Sequence, residues 1–169
     1  MSLLKSSFLS SSQLSNSEVE ELFDRAQLFK NEFEKKGTLS HLVKTTEAVV
    51  ALVFAEPSTR TRLSFQMAAY RLGLRTVTLD NPSVASLSKG ETLSDTIRNV
   101  AAMKPDVIVT RFNDDPEAEE TLKSVGCPAI SGGIGAQEHP TQALSDAFTI
   151  LQNRGQVKGE KVLIVGDVL

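Results

Sequence analysis

The run STRTR at residues 58–62 combines hydroxyl and guanidinium groups where an apolar segment meets an amphipathic one. If a helix begins here, the free N–H groups and partial positive charge of its first turn attract anions. Hydroxyl donors are added by Ser58, Thr59 and Thr61. The guanidinium of Arg60 is a planar fork that suits phosphate oxygens. The run therefore predicts a phosphate-binding helix start, with a capped helix and solvated arginines as the alternative interpretation.

The stretch EHPTQ at residues 138–142 is a second candidate for chemistry. Pro140 suits the first position of a helix, so His139 and Gln142 would face one site from a first turn. The preceding run GGIG allows the backbone to approach closely or to adopt positive φ. A loop histidine that caps its own turn is the alternative.

Two further cations occur on predicted connections. Lys89 lies in SKGET at residues 88–92, where an exposed lysine ahead of a helix start is the simpler interpretation when taken alone. Arg111 follows the apolar run DVIVT, and a local ion pair with Asp114 or Asp115 would also account for it. Neither this lysine nor the arginine-rich run belongs to a P-loop, because the pattern G-x-x-x-x-G-K-[ST] is absent.

The periodicity of apolar residues predicts alternating helices and strands. A first helix over residues 15–36 is expected, with Ser17 and Glu20 as its capping box. The later elements are helices over residues 58–73, 91–103, 116–126 and 141–155, and strands over residues 48–54, 75–79, 106–111, 128–132 and 161–167. Met67 and Tyr70 are expected to pack in the core, and His41 to lie at the surface.

This alternation predicts an α/β fold with a doubly wound parallel sheet of about four strands flanked by helices. Residues 1–152 are expected to form one domain. Residues 153–169 would be a linker and the first strand of a truncated second α/β domain. Ligands of such sheets bind at the carboxyl ends of the strands, which is where the polar stretches fall.

Composition narrows the class of protein. The chain has 169 residues, is 40% hydrophobic and carries a net charge of −3, so nucleic-acid binding through a broad cationic face is excluded. One cysteine, Cys127, excludes a disulfide framework and favours a reducing compartment; it is expected to be a core residue and not a nucleophile. No apolar run could span a membrane, and no His/Cys cluster has metal-ligand spacing. A cytoplasmic protein without metal or cofactor is expected.

Taken in order, the stretches EPSTRTRLSF, SKGETLSDT, VTR and HPTQALSD resemble the aspartate/ornithine carbamoyltransferase family over nearly the whole chain. The lysine in SKGETLSDT resembles the aspartate branch, so the resemblance is closest to the catalytic chains of that branch. It corresponds to their N-terminal, carbamoyl-phosphate-binding half. The final run KVLIVGD resembles the first strand of the family's second, amino-acid-binding domain.

The resemblance implies a role for each matching residue. The phosphate of carbamoyl phosphate would be held by the residues of the arginine-rich run, Ser58, Thr59, Arg60 and Thr61. Arg111 and His139 would approach the carbamoyl carbonyl oxygen with Thr61, and Gln142 would hold the carbamoyl NH2 group. Lys89 and a serine of its loop, Ser86 in preference to Ser88, would reach into the site of a neighbouring subunit. The implied assembly is a homotrimer with shared sites.

The implied reaction transfers the carbamoyl group of carbamoyl phosphate to the α-amine of L-aspartate, giving N-carbamoyl-L-aspartate and phosphate in de novo pyrimidine biosynthesis. Its implied catalytic residues are Arg60, Thr61, Lys89, Arg111, His139 and Gln142. The isolated chain would be inactive without the second domain, and regulatory or partner subunits could attach. The alternatives are an ornithine carbamoyltransferase and a non-catalytic lobe that binds carbamoyl phosphate or phosphate.

Overall fold

The computed structural model describes residues 7–43, 47–80 and 90–166. Within those ranges the helices are α1 (Asn16–Lys36), α2 (Thr59–Arg71), α3 (Leu93–Ala102), α4 (Pro116–Ser124) and α5 (Pro140–Arg154). The strands are β1 (Val49–Phe54), β2 (Arg75–Asp80), β3 (Val107–Phe112) and β4 (Ala129–Ile134), and short 3-10 turns occupy Ser11–Gln13 and Ser40–Leu42. Strands and helices therefore alternate as the periodicity predicts, with bounds shifted by a few residues.

The strands form one parallel sheet in the order β2-β1-β3-β4. Because each connection carries a helix, both faces of the sheet are covered. Phe54 pairs with Arg111, so the carboxyl ends of β1 and β3 lie level at the middle of the sheet. The prediction of a doubly wound four-stranded parallel sheet is confirmed.

Two apolar clusters lie on opposite faces of the sheet. On one face, Val53 and Ile108 pack with residues of α3 and α4, among them Ile97. On the other face, Leu52 and Val109 pack with α2. Helices α1 and α5 contact each other through Phe23 and Phe148, whose ring centroids are 5.5 Å apart. Alternate residues of one strand thus serve different layers.

The predicted capping box of α1 is wrong by two residues. The hydroxyl of Ser15 accepts a hydrogen bond from the N–H of Glu18, and the Glu18 carboxylate accepts one of 2.8 Å from the N–H of Ser15. Ser17 and Glu20 have the same spacing, but both lie inside the helix. The pattern S-x-x-E occurs twice in this segment, and only the first pair has the extended backbone that an N-cap requires.

The predicted strand over residues 161–167 is wrong for the part that the structure describes. Residues 161–166 form no strand and pair with none of the described strands. Leu163 is 86% exposed and Val165 is 85% exposed. A strand is completed by hydrogen bonds to a neighbour, and apolar character alone does not supply one.

The predicted core role of Met67 and Tyr70 is also wrong, since they are 46% and 76% exposed. Helix α2 packs on the sheet through Phe65 and Ala69, four residues apart, and this spacing places Met67 and Tyr70 on the outer side of the helix.

Cys127 is buried, as predicted, with its thiol 3.3 Å from the carbonyl oxygen of Pro105. Burial raises the pKa of this thiol above its ordinary value, which suits a core residue. His41 is exposed, as expected. In the described ranges, none of the helices combines the length and apolar character that crossing a membrane requires.

Candidate functional site

A cavity of about 600 Å³ opens beyond the carboxyl end of β3, between the first turns of α2 and α5. Its lining includes five of the residues singled out from the sequence, Arg60, Thr61, Arg111, His139 and Gln142. These residues come from three separate stretches of the chain. The fold therefore gathers in one place the side chains that the sequence spreads over more than eighty positions.

The start of α2 leaves its backbone donors open. Ser58 precedes the helix, and its side chain makes no capping hydrogen bond. The first bond of the helix runs from the N–H of Arg62 to the carbonyl oxygen of Ser58, so the N–H groups of residues 59–61 have no partner within the helix. The first turn holds no acidic residue, and Arg60 is exposed beside the cavity. This combination favours an anion.

Arg111 projects from the end of β3 towards α2. Its Nη1 donates to the hydroxyl of Thr61 and to the carbonyl oxygen of Gly132, both at 3.4 Å. Its Nε donates to a carboxylate oxygen of Glu56 at 3.2 Å. The guanidinium is thereby fixed by acceptors from three segments that meet at the carboxyl ends of β1, β3 and β4.

The alternative of a local ion pair between Arg111 and Asp114 or Asp115 is not what the structure has. Asp114 accepts a hydrogen bond of 2.6 Å from the amide of Gln137. Asp115 caps α4 by accepting one of 3.0 Å from the N–H of Ala118. The ion pair goes instead to Glu56, to which the sequence analysis gave no role. A carboxylate between a strand end and an anion-binding run was its signal, because an acid there needs a nearby cation.

His139 occupies the position before α5, with Pro140 buried behind it as the first helical residue. The Nδ1 atom of His139 lies 3.4 Å from the hydroxyl of Thr141. Burial lowers the pKa of His139 below its ordinary value, and the charge of Arg111 acts in the same direction. The imidazole is therefore biased towards its neutral form.

Gln142 lies in the first turn of α5, and its amide Nε2 donates to a carboxylate oxygen of Asp146 at 2.9 Å. This bond leaves the amide carbonyl oxygen and the second N–H of Gln142 available to a ligand in the cavity. The neighbouring lining residues Ser64 and Ser145 add hydroxyl groups. They were not singled out from the sequence, since isolated serines on a helix carry no distinguishing pattern.

Two glycines within the second half of β4 pack closely against the site. A Cβ atom at Gly132 would lie 3.3 Å from the methyl group of Thr61. Gly133 has φ of +122°, and a Cβ there would lie 3.4 Å from Nη1 of Arg111. The expectation that GGIG permits a close backbone approach and positive φ is confirmed.

The remaining predicted residues fall into two groups. Ser58, just before α2, and Thr59, its first residue, do not line the cavity. Ser86 and Lys89, with the alternative Ser88, lie outside the described residues. Among residues 7–43, 47–80 and 90–166, no three His, Cys, Asp or Glu side chains are grouped as a metal site.

Comparison with protein families gives one match over most of the chain. The model of the aspartate/ornithine carbamoyltransferase, carbamoyl-P binding domain matches residues 6–152. This range begins just before the first described residue and ends inside α5.

Curated relatives agree with that match. The catalytic subunit of aspartate carbamoyltransferase from Nitratiruptor is 47% identical over 151 residues, which is 89% of this chain and 49% of the relative. The corresponding subunit from Caldanaerobacter subterraneus is 43% identical over 171 residues, covering 99% of this chain and 54% of the relative. The chain spans about half the length of the curated relatives it matches.

Solved structures show the same relationship. Aspartate transcarbamoylase from Trypanosoma cruzi, in complex with carbamoyl aspartate and phosphate, superposes with a TM-score of 0.83 and 35% identity, covering 94% of this chain and 50% of that one. The catalytic subunit from M. jannaschii gives a TM-score of 0.80 at 35% identity, covering 90% and 49%.

Proposed function

This chain belongs to the aspartate/ornithine carbamoyltransferase family, and we propose that it forms the carbamoyl-phosphate-binding half of an aspartate carbamoyltransferase. The observation that carries the proposal is the single cavity in which Arg60, Thr61, Arg111, His139 and Gln142 meet at the starts of two helices. The reaction is transfer of the carbamoyl group to the α-amine of L-aspartate. The names of the relatives describe that transfer. The cavity contains hydrogen-bond donors of the kind that the reaction requires.

The phosphate group of carbamoyl phosphate binds at the start of α2. The open N–H groups of residues 59–61 donate to phosphate oxygens, and the Ser58 hydroxyl adds a donor that is not engaged in capping. The exposed guanidinium of Arg60 supplies the charge-assisted bonds that a dianion needs. Because these donors are in place before the ligand arrives, little reorganisation is required on binding.

The carbamoyl carbonyl oxygen faces the donors on the other wall of the cavity. Nη1 of Arg111 already lies 3.4 Å from the Thr61 hydroxyl, so one oxygen can be reached by both groups. A neutral His139 whose Nδ1 accepts from the Thr141 hydroxyl carries its proton on Nε2, where it can donate to the same oxygen. The Gln142 carbonyl oxygen accepts from the carbamoyl NH2 group and sets its orientation.

Attack by the amine forms the new C–N bond while the carbonyl π electrons move onto oxygen. The resulting oxyanion is stabilised by Arg111, Thr61 and His139. Collapse of this intermediate breaks the bond from carbon to the bridging phosphate oxygen and releases phosphate, whose charge is held by α2 and Arg60. The surplus proton of the attacking amine passes to the departing phosphate. The residues of this chain thus act by positioning and charge stabilisation.

Glu56 moderates the charge of the site. Its carboxylate holds Arg111 through Nε at 3.2 Å, on the opposite side of the guanidinium from Nη1. Arg111 can therefore direct Nη1 at the carbonyl oxygen without swinging towards the phosphate. This division leaves the phosphate to Arg60 and the start of α2.

The remaining features of the proposal follow the family resemblance. Lys89 and Ser86 would enter the site of a neighbouring subunit in a homotrimer, and regulatory or partner subunits could join that trimer. The second half of the relatives' length would supply the contacts to aspartate. The place of action would be de novo pyrimidine biosynthesis in the cytoplasm, which fits a chain with one cysteine.

The test is an assay of product formation by the full-length protein and by residues 1–169 alone. We expect the full-length protein to make N-carbamoyl-aspartate from carbamoyl phosphate and aspartate, and the shorter chain to bind phosphate without turnover. Formation of citrulline from ornithine in place of carbamoyl-aspartate would assign the ornithine branch. If the full-length protein binds phosphate but forms neither product, the remaining interpretation is a non-catalytic lobe that binds carbamoyl phosphate or phosphate.

Sharing of sites between subunits has its own test. Trimers mixed from Lys89→Ala and Arg60→Ala subunits of the full-length protein should regain part of the activity that each variant lacks. Recovery is expected because a site between subunits can draw Arg60 from one chain and Lys89 from its neighbour. No recovery, with mixing confirmed by mass spectrometry, contradicts the shared site.

A further inference from the structure

The N-terminal segment Ser7–Gln13, here called the strap, lies along the open edge of β4. The N–H of Phe8 donates to the carbonyl oxygen of Ala129 at 2.7 Å, and the N–H of Ser131 donates to the carbonyl oxygen of Phe8 at 2.9 Å. The side chain of Leu9 is buried in the apolar cluster beside β3 and β4. The strap thus makes a single parallel β-bridge to β4 and is anchored by both its backbone and the Leu9 side chain.

The strap is also held together internally by Gln13. The side-chain carbonyl oxygen of Gln13 accepts from the N–H groups of Leu9 and Ser10 at 2.7 and 2.9 Å. Its amide N–H donates to the carbonyl oxygen of Ser7 at 3.1 Å. These bonds fold the second half of the strap into a compact turn whose position follows that of β4.

From this turn, Ser11 reaches the connection between β4 and α5. Both its N–H, at 2.8 Å, and its hydroxyl donate to the same carboxylate oxygen of Glu138. Burial alone would raise the pKa of Glu138, but the hydrogen bonds from Ser11 and Ser10 outweigh burial and hold it below its ordinary value. Glu138 is therefore an anion at neutral pH, and its bonds to Ser11 are charge-assisted.

Glu138 is the residue immediately before His139. Its own carbonyl oxygen accepts from the N–H of Ile134 at 3.1 Å, which closes the connection into a turn. Neighbouring Cα atoms are separated by a fixed distance of about 3.8 Å, so a shift of Glu138 is passed directly to His139. Pro140, which follows His139 and is buried, restricts the movement of His139 from the other side in the chain.

We propose that the strap, through the contact of Ser11 with Glu138, positions His139 and the start of α5 at the cavity. Glu138 and Ser11 are positioning residues, since neither lines the cavity. The inference rests on the proposed function, because it assigns the strap a purpose in that reaction. It also makes one separate claim: the start of α5 depends on the strap, whereas the start of α2 does not.

The experiment compares kcat and phosphate affinity in full-length variants. In Glu138→Ala, we expect kcat to fall roughly tenfold to a hundredfold, because a displacement of about 1 Å of a catalytic group can cost that much. Affinity for inorganic phosphate, measured by calorimetry, should stay unchanged, because that ligand binds at the start of α2. Glu138→Gln keeps an oxygen that can accept from Ser11 and should retain most of the wild-type kcat.

A matched pair of serine variants gives a second, milder test should Glu138→Ala fail to fold. Ser11→Ala removes the hydroxyl bond to Glu138 and should lower kcat by less than Glu138→Ala does. Ser12→Ala changes the next residue, whose hydroxyl bonds only to Ser10 among the contacts that the structure gives it, and should behave as wild type. Equal kcat values in the two serine variants overturn the proposal, as does a parallel fall of kcat and phosphate affinity in Glu138→Ala.

Hydrogen exchange separates failure of this inference from failure of the proposed function. Amide exchange over residues 134–142 should accelerate in Glu138→Ala while exchange over residues 59–65 stays constant. That result supports the positioning role of the strap even if the wild-type protein makes neither carbamoyl-aspartate nor citrulline. Unchanged exchange over residues 134–142 overturns the positioning role of the strap even if the wild-type protein is an active transferase.

Discussion

The five α-helices of the described residues begin in two different ways. Helices α1, α3 and α4 each have a side chain that caps a first-turn N–H and at least one acidic residue in that turn, with Ser15, Thr92 and Asp115 as the capping residues. Helices α2 and α5 have neither feature. The two helices without caps are the two whose first turns line the cavity.

The contrast is clearest between α3 and α2. At the start of α3, the Thr92 hydroxyl accepts from the N–H of Asp95 at 3.1 Å, and the Asp95 carboxylate places a negative charge by the helix end. At the start of α2, Ser58 has a hydroxyl of the same kind but makes no capping bond, and Arg60 takes the place of an acid. The first-turn N–H groups are thus capped by the protein's own side chains in α3 and left without a side-chain cap in α2.

Under the proposed function, this difference marks where helix stability is given up for anion binding. A capping side chain contributes about 0.5–2 kcal/mol to a helix, so leaving two helices uncapped is a measurable loss. An anion bound at those starts would satisfy the same N–H groups and dipole that a cap satisfies elsewhere. A ligand should therefore stabilise the protein as well as react in it.

The largest effect is expected for the charge at the open start of α2. In Arg60→Ala, the affinity for carbamoyl phosphate should fall about a hundredfold or more, because each hydrogen bond to a charged group contributes roughly 1.5–3 kcal/mol and a guanidinium can donate two. Calorimetry with N-(phosphonacetyl)-L-aspartic acid, a phosphonate ligand bound in a solved structure of the Trypanosoma cruzi enzyme, should show a loss of affinity of the same order.

The matched control is Arg98→Ala, which removes an arginine from the capped helix α3. Arg98 pairs with Asp95 at 3.1 Å and does not line the cavity. This variant should bind the ligand as wild type does. Unchanged affinity in Arg60→Ala, or an equal loss in both variants, would contradict the assignment of the phosphate to α2.

A second test gives α2 the acid that the capped helices have. Thr59→Glu should stabilise the free protein by about 0.3–1 kcal/mol through the helix dipole. It should also weaken phosphate binding about tenfold, since the new carboxylate competes with the anion and repels it. Thermal unfolding with and without phosphate measures both effects on one sample.

Thr59→Gln is the control, because it adds similar bulk without charge. It should change neither the stability nor the phosphate affinity by as much as Thr59→Glu does. If the charged variant gained stability and kept full affinity, the open helix start would not be where the anion binds.

The sequence predicted the helices, the strands and several of the residues that line the cavity more reliably than it predicted the contacts of those residues. STRTR and EHPTQ are local patterns in which donors, a helix start and a glycine or proline occur within a few residues. Such a pattern predicts a helix start with exposed donors whatever the rest of the fold is, and residues of both stretches line one cavity. The apolar periodicity of the strands is local in the same sense.

The partners depend on sheet register and could not be obtained from the sequence. Glu56 meets Arg111 because Phe54 pairs with Arg111 across β1 and β3, residues that are far apart in the chain. Ser11 meets Glu138 across 127 positions. The sequence around Ser11 or Glu56 does not indicate which of the many polar side chains in the chain it will contact.

Two other errors came from treating apolar character as sufficient. Residues 162–165 are apolar but pair with none of the described strands, and Met67 and Tyr70 lie on the outer side of α2. The capping box of α1 was misplaced because S-x-x-E occurs in two overlapping registers. Backbone conformation decides between them, since only Ser15 has the extended backbone of an N-cap.

A third prediction concerns the open start of α5, where a histidine stands in place of a capping acid. The pKa of His139 is lowered by burial and by Arg111, so the folded state takes up a proton at lower pH than the unfolded state does. The free energy of unfolding should therefore fall as the pH drops below about 6.5, and the loss should continue through the pKa of the folded state. Urea titrations at a series of pH values measure this.

His139→Gln should remove this acid-dependent loss and also lower kcat, whereas His41→Gln should leave kcat unchanged. His41 is exposed and contacts Glu32 and Lys36, away from the cavity lining. A pH dependence of stability that is the same in wild type and His139→Gln would contradict the assignment.

The smallest effect is expected from a pair of cap variants, and it tests the comparison itself. Thr92→Ala should destabilise the protein by about 1 kcal/mol, a shift of roughly 2–4 °C in Tm, and leave phosphate affinity unchanged. Ser58→Ala should do the reverse, because its hydroxyl makes no capping bond to lose but is one of the donors offered to phosphate. If Ser58→Ala lowers Tm as much as Thr92→Ala and binds phosphate normally, then α2 is a capped helix like α3, and the two kinds of helix start have no functional meaning.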